Sequence, residues 1–254
     1  MAGEEREELA EGTLLSHLIE LRSRLFWIVG AVFLVFLALL PFAKMIFNYV
    51  AAPLVSVVPN GELLALNPVS PLTATIALTF YIALFIAMPV VLYQVWAFVA
   101  PGLYRKEKRF AFPLLATSIA LFYLGMAFAY YVVFPLVFGF VSAFTPDTVN
   151  YQPDMTAYVS FVMMVVLVFG LAFETPIATV LLVWTGLTTT DKLGKARPYI
   201  FLGAFIVGML LTPPDIISQT MLAVPIYILF ELGILMSRLF SARAPESDEA
   251  AEVE

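Results

Sequence analysis

Long apolar segments separated by short polar stretches dominate this sequence. A helix that crosses a bilayer needs about 20 predominantly apolar residues, each of which adds about 1.5 Å. Six segments reach or approach that length, at about residues 25–42, 72–100, 110–144, 158–185, 198–212 and 216–235. The pattern therefore predicts an all-α integral membrane protein with six transmembrane helices in one membrane domain at residues 14–240.

The predicted spans differ in length. The third, at 110–144, reaches about 50 Å if it is helical throughout, so it must tilt or protrude. The fifth has only about 14 apolar residues, or about 21 Å, which is less than the ~30 Å hydrocarbon core. Short fifth and sixth helices would leave one wall of the bundle low and the bilayer thinned. The alternative is that Leu193 and its neighbours extend the fifth helix to normal length.

Prolines inside the predicted spans mark where helices should bend. Proline has no backbone N–H and its ring clashes with the preceding turn, while neighbouring helices can satisfy the freed carbonyl groups. We expect kinks at five prolines, which are Pro89, Pro113, Pro135, Pro176 and Pro225.

The distribution of lysine and arginine orients the spans. Twelve of the 13 basic residues fall on one side if, and only if, the chain crosses the membrane six times. They lie in the N-terminal segment, the second-to-third loop, the fourth-to-fifth loop and the C-terminal tail, whereas Lys44 stands alone on the other side. Because cytoplasmic loops are enriched in lysine and arginine, we expect both termini to be cytoplasmic.

Composition supports a lipid environment and excludes several kinds of chemistry. Hydrophobic residues make up 62% of the chain and charged residues 13%, about half the charged share of a soluble domain. The net charge of −6 comes from acidic tails at residues 1–13 and 241–254, so it does not indicate a basic partner. With no cysteine and one histidine, His17, the chain cannot form a disulfide or a thiolate zinc site. We expect no cofactor and no nucleic-acid partner.

An amphipathic helix is predicted immediately before the first span. Leucines recur at helical spacing from Leu14 to Leu25, and Glu20 and Arg24 fall together on an adjacent stripe. This helix should lie at the cytoplasmic interface and present the carboxylate of Glu20 to water. The alternative is an ordinary surface ion pair between Glu20 and Arg24, worth a few tenths of a kcal/mol.

The second-to-third loop places one acid among four basic residues. Glu107 follows Arg105 and Lys106 and precedes Lys108 and Arg109. Basic residues that only set the topology do not need this carboxylate, so Glu107 is a candidate functional residue. The alternative is that it pairs locally with one of its neighbours.

Glu174 lies in the middle of the fourth span, next to Pro176. A charge at the bilayer centre costs about 2.5–3.5 kcal/mol, so an intramembrane acid is usually functional and partnered. Glu231, near the cytoplasmic end of the sixth span, has a weaker functional claim. Asp215 precedes the sixth helix, where capping of the helix explains a carboxylate by itself.

Four segments, in this order on a six-span scaffold, resemble the TatC family of twin-arginine translocase subunits. The segments are His17–Leu25, Gln94–Glu107, Phe169–Glu174 and Thr212–Asp215, and the resemblance covers about residues 14–240. It implies a concave bundle in the bacterial cytoplasmic (inner) membrane that acts as a receptor for the twin-arginine signal peptides of folded, exported proteins. Transport in this family is driven by the proton motive force.

The resemblance also implies roles for individual residues. Glu20 and Glu107 match cytoplasmic carboxylates implicated in binding the arginine pair, and Phe98 matches an aromatic residue at the same site. Arg22 and Arg105 are basic neighbours that would orient these acids, and Arg22 matches a position linked to function.

By the same resemblance, Glu174 faces the concave interior and bonds a polar residue on a single-span partner of the TatA or TatB type. The fifth and sixth spans, with Asp215 and Gln219 in and after the periplasmic hairpin, form the docking edge for those partners. We therefore expect a homo- or hetero-oligomer within the lipid bilayer.

Two other functions fit the sequence less well. A proton-coupled secondary transporter centred on Glu174 would need further polar residues facing it across the bundle, and the spans offer few beyond Ser160, Thr175 and Thr179. An intramembrane hydrolase would need a nucleophile with a base, or a metal site, inside the bilayer, whereas the single histidine lies outside the spans. The sequence therefore favours a receptor and not an enzyme.

Overall fold

The computed structural model describes the backbone of residues 2–55, 63–99, 108–146, 152–211 and 216–241, and the side chains of 18–52, 63–98, 112–146, 152–211 and 216–239. Its α-helices in chain order are α1 (Ala2–Leu39), α2 (Ala43–Val55), α3 (Ser70–Ile86), α4 (Met88–Val99), α5 (Lys108–Phe128), α6 (Phe134–Phe144), α7 (Met155–Ala172), α8 (Thr175–Trp184), α9 (Thr190–Leu211) and α10 (Ile216–Ser241). Across these described ranges, the strand-like pairing is an isolated bridge between Leu64 and Asp154, so the fold is all-α.

Five helical stretches and one bent helix pair in the described residues are long and apolar enough to cross a bilayer. The stretches are Leu18–Ala52, Phe112–Phe144, Met155–Trp184, Thr190–Leu211 and Ile216–Leu239, and the bent pair is Ser70–Ile86 with Met88–Phe98. Counted as one span, the bent pair brings the total to the six that the sequence predicts. The predicted fold class, an all-α membrane protein, is confirmed.

The segment before the first span is not a separate interfacial helix. Helix α1 continues without a break from Ala2 to Leu39, and a 3₁₀ turn at Leu40–Phe42 then joins it to α2. Glu20 and Arg24 therefore lie on the same continuous helix as the first part of the first span. The continuous apolar stretch, Leu18–Ala52, is longer at both ends than the predicted 25–42.

Three of the five prolines coincide with an interruption of the helix. Next to Pro89, α3 and α4 meet at an angle of 54°. A π-helical turn at Ala129–Val133 directly precedes α6, whose first turn contains Pro135. Helix α7 ends before Pro176, which lies in the first turn of α8. Pro113 and Pro225 lie inside the continuous helices α5 and α10.

The fifth helix is longer than its apolar stretch suggests. Helix α9 has 22 residues and so spans about 33 Å, enough to cross the hydrocarbon core. It starts at Thr190, eight residues before the predicted boundary, because its polar first turns are helical as well. The helix itself therefore extends through Leu193, while its apolar stretch keeps the short length that the sequence predicts. The last two spans, with 22 and 24 residues, are still shorter than the other unbroken spans of 30 to 35 residues.

The chain divides into two compact units. Unit 1 comprises Met1–Ile119 with Asn150–Met163, and unit 2 comprises Ala120–Val149 with Met164–Glu254. Polar side chains connect the helices of unit 1. The buried Tyr158 hydroxyl of α7 donates to the carbonyl of Val50 at 3.1 Å, and Trp96 Nε1 of α4 donates to Oγ of Ser118 at 2.9 Å.

In unit 2 the helices approach each other closely at glycines. A Cβ on Gly125 of α5 would lie 2.5 Å from the carbonyl oxygen of Phe169, and one on Gly170 would lie 2.6 Å from the ring of Phe122. Helices α9 and α10 enclose an apolar cluster of Leu193, Phe230 and Ile234, which Val183 and Ile200 complete. At Gly125 and Gly170, the absence of a side chain lets the helix backbones come together without a Cβ between them.

Candidate functional site

Glu20 is held by an arginine one turn further along α1. Arg24 donates from both Nε and Nη2 to the same oxygen, Oε1 of Glu20, at 3.0 and 2.6 Å. The Glu20 side chain stays 41% exposed and that of Arg24 is 22% exposed. The ion pair that the sequence analysis gives as the alternative for Glu20 is therefore present, and it leaves the carboxylate in reach of solvent.

The same arginine connects α1 to α4. Its third donor atom, Nη1, bonds to Oε1 of Gln94 at 3.1 Å, across 70 residues of sequence. Phe98 follows Gln94 by one helical turn on α4 and is half-buried. Glu20, Arg24, Gln94 and Phe98 are thus carried by two neighbouring helices of unit 1, and one guanidinium fixes the first three relative to each other.

Gln94 has a role in this site that the sequence does not reveal. Residues 24 and 94 become neighbours only when α1 and α4 pack against each other. The signal available in the sequence is an uncharged polar residue near the end of an otherwise apolar segment, Met88–Val99. Such residues often bond across helices in a membrane.

Within the described part of the chain, Arg24 contacts Glu20, and the contact of Arg22 is with an aromatic ring. The guanidinium carbon of Arg22 lies 5.6 Å from the centroid of the Phe26 ring, a distance at which the cation and the ring attract each other. Glu107 and Arg105, the other two residues predicted for this site, lie outside the described residues.

Glu174 lies at the break between α7 and α8 and is 8% exposed. The turn keeps its backbone hydrogen bonds, since the N–H of Glu174 donates to Leu171 O at 3.1 Å and its carbonyl accepts from Ala178 N at 2.9 Å. The rings of Phe169 and Phe173 lie 5.6 and 5.5 Å from that of Phe128. Glu174 is therefore a buried acid in the turn between α7 and α8, beside an aromatic cluster.

A second arginine–glutamate pair, which the sequence did not predict, links α9 and α10. Arg197 donates to both oxygens of Glu231, from Nε to Oε1 at 2.7 Å and from Nη2 to Oε2 at 2.8 Å. The hydroxyl of Tyr227 also donates to Glu231 Oε1, at 2.9 Å. Two parallel N–H···O bonds form a strong arrangement that fixes geometry as well as charge.

Gln219 also holds α9 to α10. Its Nε2 donates to the carbonyl of Phe205 at 2.7 Å, and a Cβ on Gly208 would lie 3.1 Å from Gln219 Cγ. The side chain of Gln219 therefore supports the contact between these two helices. Asp215, predicted for the same hairpin, lies outside the described residues.

Comparison with known proteins decides the family. The family model of the Sec-independent protein translocase protein (TatC) matches residues 16–225. The chain belongs to the TatC family. TatC proteins of Escherichia coli K12 and Azotobacter chroococcum mcd 1 are 50% and 51% identical to it over 237 and 239 residues, which is 93% and 94% of this chain and 92% of each relative.

A solved TatC structure has the same fold. The crystal structure of the twin-arginine translocase receptor TatC superposes with a TM-score of 0.81 at 38% identity, and covers 89% of this chain and 99% of the solved one. This member of the TatC family is accordingly a membrane component of the twin-arginine protein translocase and not an enzyme. The alternative of a secondary transporter centred on Glu174 is set aside.

Proposed function

We propose that this TatC protein is the receptor subunit that binds twin-arginine signal peptides of folded proteins for export across the bacterial cytoplasmic membrane. Both termini lie in the cytoplasm, and the translocase is driven by the proton motive force. The signal peptide binds at Glu20 and Glu107 with Phe98, while Arg22 and Arg105 orient the acids.

The observation that carries this proposal is the state of Glu20. Its carboxylate is half-exposed and already accepts two N–H groups from a guanidinium. A signal-peptide arginine brings the same planar fork, which a carboxylate accepts at two points and which a lysine ammonium cannot reproduce. Arg24 is thus an internal example of a guanidinium bound to this carboxylate, with both of its donors on one oxygen, Oε1.

The position of the site supports the proposed topology. Glu20 precedes most of the first apolar stretch, and Phe98 ends the second span. The first span crosses the membrane away from Glu20, and the second crosses back towards Phe98. The start of the first span and the end of the second therefore lie on the same side of the membrane. Since twelve of the 13 basic residues lie on that side of a six-span chain, the site faces the cytoplasm.

The test is equilibrium binding of a fluorescent twin-arginine signal peptide to the purified chain, against a peptide with Lys-Lys in place of Arg-Arg. Glu20→Gln and Glu107→Gln should each weaken binding of the Arg-Arg peptide by about 1.5 kcal/mol, or roughly tenfold. Asp191→Asn is the matched control, because it removes an exposed acid from the first turn of α9. Equal binding of the two peptides by the folded wild-type chain would disprove the receptor function.

Glu174 and the hairpin of α9 and α10 are proposed as the contacts for single-span TatA- and TatB-type partners. A buried acid at the break between two helices favours a partner that supplies a polar group inside the bilayer. Glu174→Ala should abolish co-purification of a tagged partner, and Glu174→Gln, which can still hydrogen-bond, should retain part of it. Ser160→Ala on α7 is the control, and its loss of partner to the same extent as Glu174→Ala would contradict the assignment.

A further inference from the structure

We propose that Arg24 is a resident competitor for the signal peptide: it occupies Glu20 in the empty receptor, and a signal arginine must displace it. This inference rests on the proposed function and adds to it the state of the site before the peptide arrives. It follows from three hydrogen bonds of a single guanidinium.

The first step of the argument is chemical identity. The group on Glu20 Oε1 is a guanidinium, bonded from Nε and Nη2 at 3.0 and 2.6 Å. The proposed ligand brings another guanidinium to the same carboxylate. Two cations on one carboxylate repel each other, so binding of the signal arginine opposes the bonds that Arg24 makes.

The second step is that breaking the hydrogen bonds from Arg24 to Glu20 costs little free energy. The pair lies within one helix at a spacing of four residues, and its side chains are 22% and 41% exposed. Pairs of this kind contribute little to stability because water replaces the lost contact. Both residues lie on α1, so opening the pair breaks no bond between helices.

The third step is that Arg24 has a second acceptor. Its Nη1 already bonds to Gln94 Oε1 at 3.1 Å. When a signal arginine takes Glu20, the Arg24 guanidinium can turn fully towards this neutral amide oxygen on α4. Gln94 therefore keeps the displaced cation bonded to protein and beside the site.

The test measures binding of the Arg-Arg and Lys-Lys peptides to Arg24→Gln and Arg24→Lys. Without its competitor, Arg24→Gln should bind the Arg-Arg peptide about two- to fivefold more tightly. Because displacement costs the same for either ligand, the preference for Arg-Arg over Lys-Lys should stay unchanged. Arg24→Lys keeps the charge but loses the planar fork, so it should also tighten binding, by about twofold.

The two variants separate the possible explanations. If Arg24→Gln weakens binding while its thermal unfolding is unchanged, Arg24 positions Glu20 and the proposal is overturned. If only Arg24→Gln tightens binding, simple charge repulsion explains the gain, and displacement is again overturned. Should Arg24→Gln fail to fold, the direction of the change in Arg24→Lys decides.

Gln94→Met tests the second acceptor in both backgrounds. It should weaken Arg-Arg binding by about twofold when Arg24 is present. The displaced Arg24 guanidinium then has no amide oxygen at position 94 to accept its hydrogen bond. In the Arg24→Gln background it should have no effect, and an equal loss there would assign Gln94 to direct contact with the peptide. Failure of the receptor function itself looks different, because the wild-type chain would then not distinguish Arg-Arg from Lys-Lys.

Discussion

The two compact units each contain an arginine–glutamate pair, and the pairs differ in what they connect. In unit 1, Arg24 and Glu20 lie on one helix, and both donors converge on a single carboxylate oxygen. In unit 2, Arg197 and Glu231 lie on neighbouring helices, and each oxygen of the carboxylate receives its own N–H.

Exposure does not explain the difference. The side chains of the first pair are 22% and 41% exposed, and those of the second are 42% and 33% exposed. The difference is connectivity: opening the first pair changes two rotamers on α1, whereas opening the second removes a bond between α9 and α10. Two pairs with the same chemistry are therefore suited to different tasks, one to exchange partners and one to hold helices together.

The largest effect should come from separating α10, which carries Glu231 of the second pair, from α8. Gly233, on α10 near Glu231, faces α8, and a Cβ there would press on Thr179 Oγ1 and lie 3.0 Å from Pro176 Cα. Since backbone cannot yield as a side-chain end can, Gly233→Val should cost about 3 kcal/mol of unfolding free energy in an SDS titration. Gly203→Ala is the control, because nothing lies within 4 Å of its Cβ position. Equal stability of the two variants would refute the close packing of α8 against α10.

The next effect tests the second pair directly. Arg197→Gln should lower the unfolding free energy, because Glu231 loses two charge-assisted hydrogen bonds that link α9 to α10. The same titration measures it, with Lys195→Gln as the control, since Lys195 is an exposed cation on the same helix. A loss no larger than that of Lys195→Gln would mean that the pair does not hold α9 to α10.

A smaller effect is expected at the third member of this cluster. Tyr227→Phe removes only the hydroxyl that donates to Glu231 at 2.9 Å and keeps the ring, whose centroid lies 5.6 Å from that of Phe201. The expected loss of unfolding free energy is smaller than that of Arg197→Gln, because one neutral donor is removed in place of a charged one. Tyr199→Phe, at an exposed position on α9, should change nothing. In the Arg197→Gln background, the loss of unfolding free energy caused by Tyr227→Phe should differ from that in the wild-type chain, because Arg197 and Tyr227 bind the same carboxylate.

Much of the fold could be predicted from the sequence, because the apolar stretches are long and their loops carry the topogenic charges. The fifth helix shows where that reasoning stops. Counting apolar residues placed its start at Pro198 and omitted the polar turns from Thr190 onwards. The sequence near Thr190 does contain residues that favour a helix start. Thr189 Oγ1 accepts the N–H of Lys192 at 3.3 Å, and Asp191 lies in the first turn. These are the marks of a helix start.

In the candidate sites, too, local features could be predicted from the sequence, whereas contacts between distant residues could not. The burial of Glu174 could be predicted from its place in an apolar span, and the pairing of Glu20 with Arg24 from helical spacing. The bonds from Arg24 to Gln94 and from Arg197 to Glu231 join residues 70 and 34 positions apart. No periodicity encodes such pairs, because they exist only after the helices have packed.

The smallest expected effect is the most informative for the comparison. The pair of Arg24 and Glu20 should contribute no more than about 0.5 kcal/mol to the unfolding free energy, the value of an exposed pair at this spacing. Arg24→Gln measures that contribution together with the bond to Gln94. A double-mutant cycle with Glu20→Gln isolates the coupling between the two side chains. Coupling as large as that between Arg197 and Glu231 would mean that both pairs are structural, and Arg24 could then not release Glu20 for a ligand. Weak coupling at Glu20, set against strong coupling at Glu231, would show that the same two residue types form an exchangeable contact in one unit and a permanent one in the other.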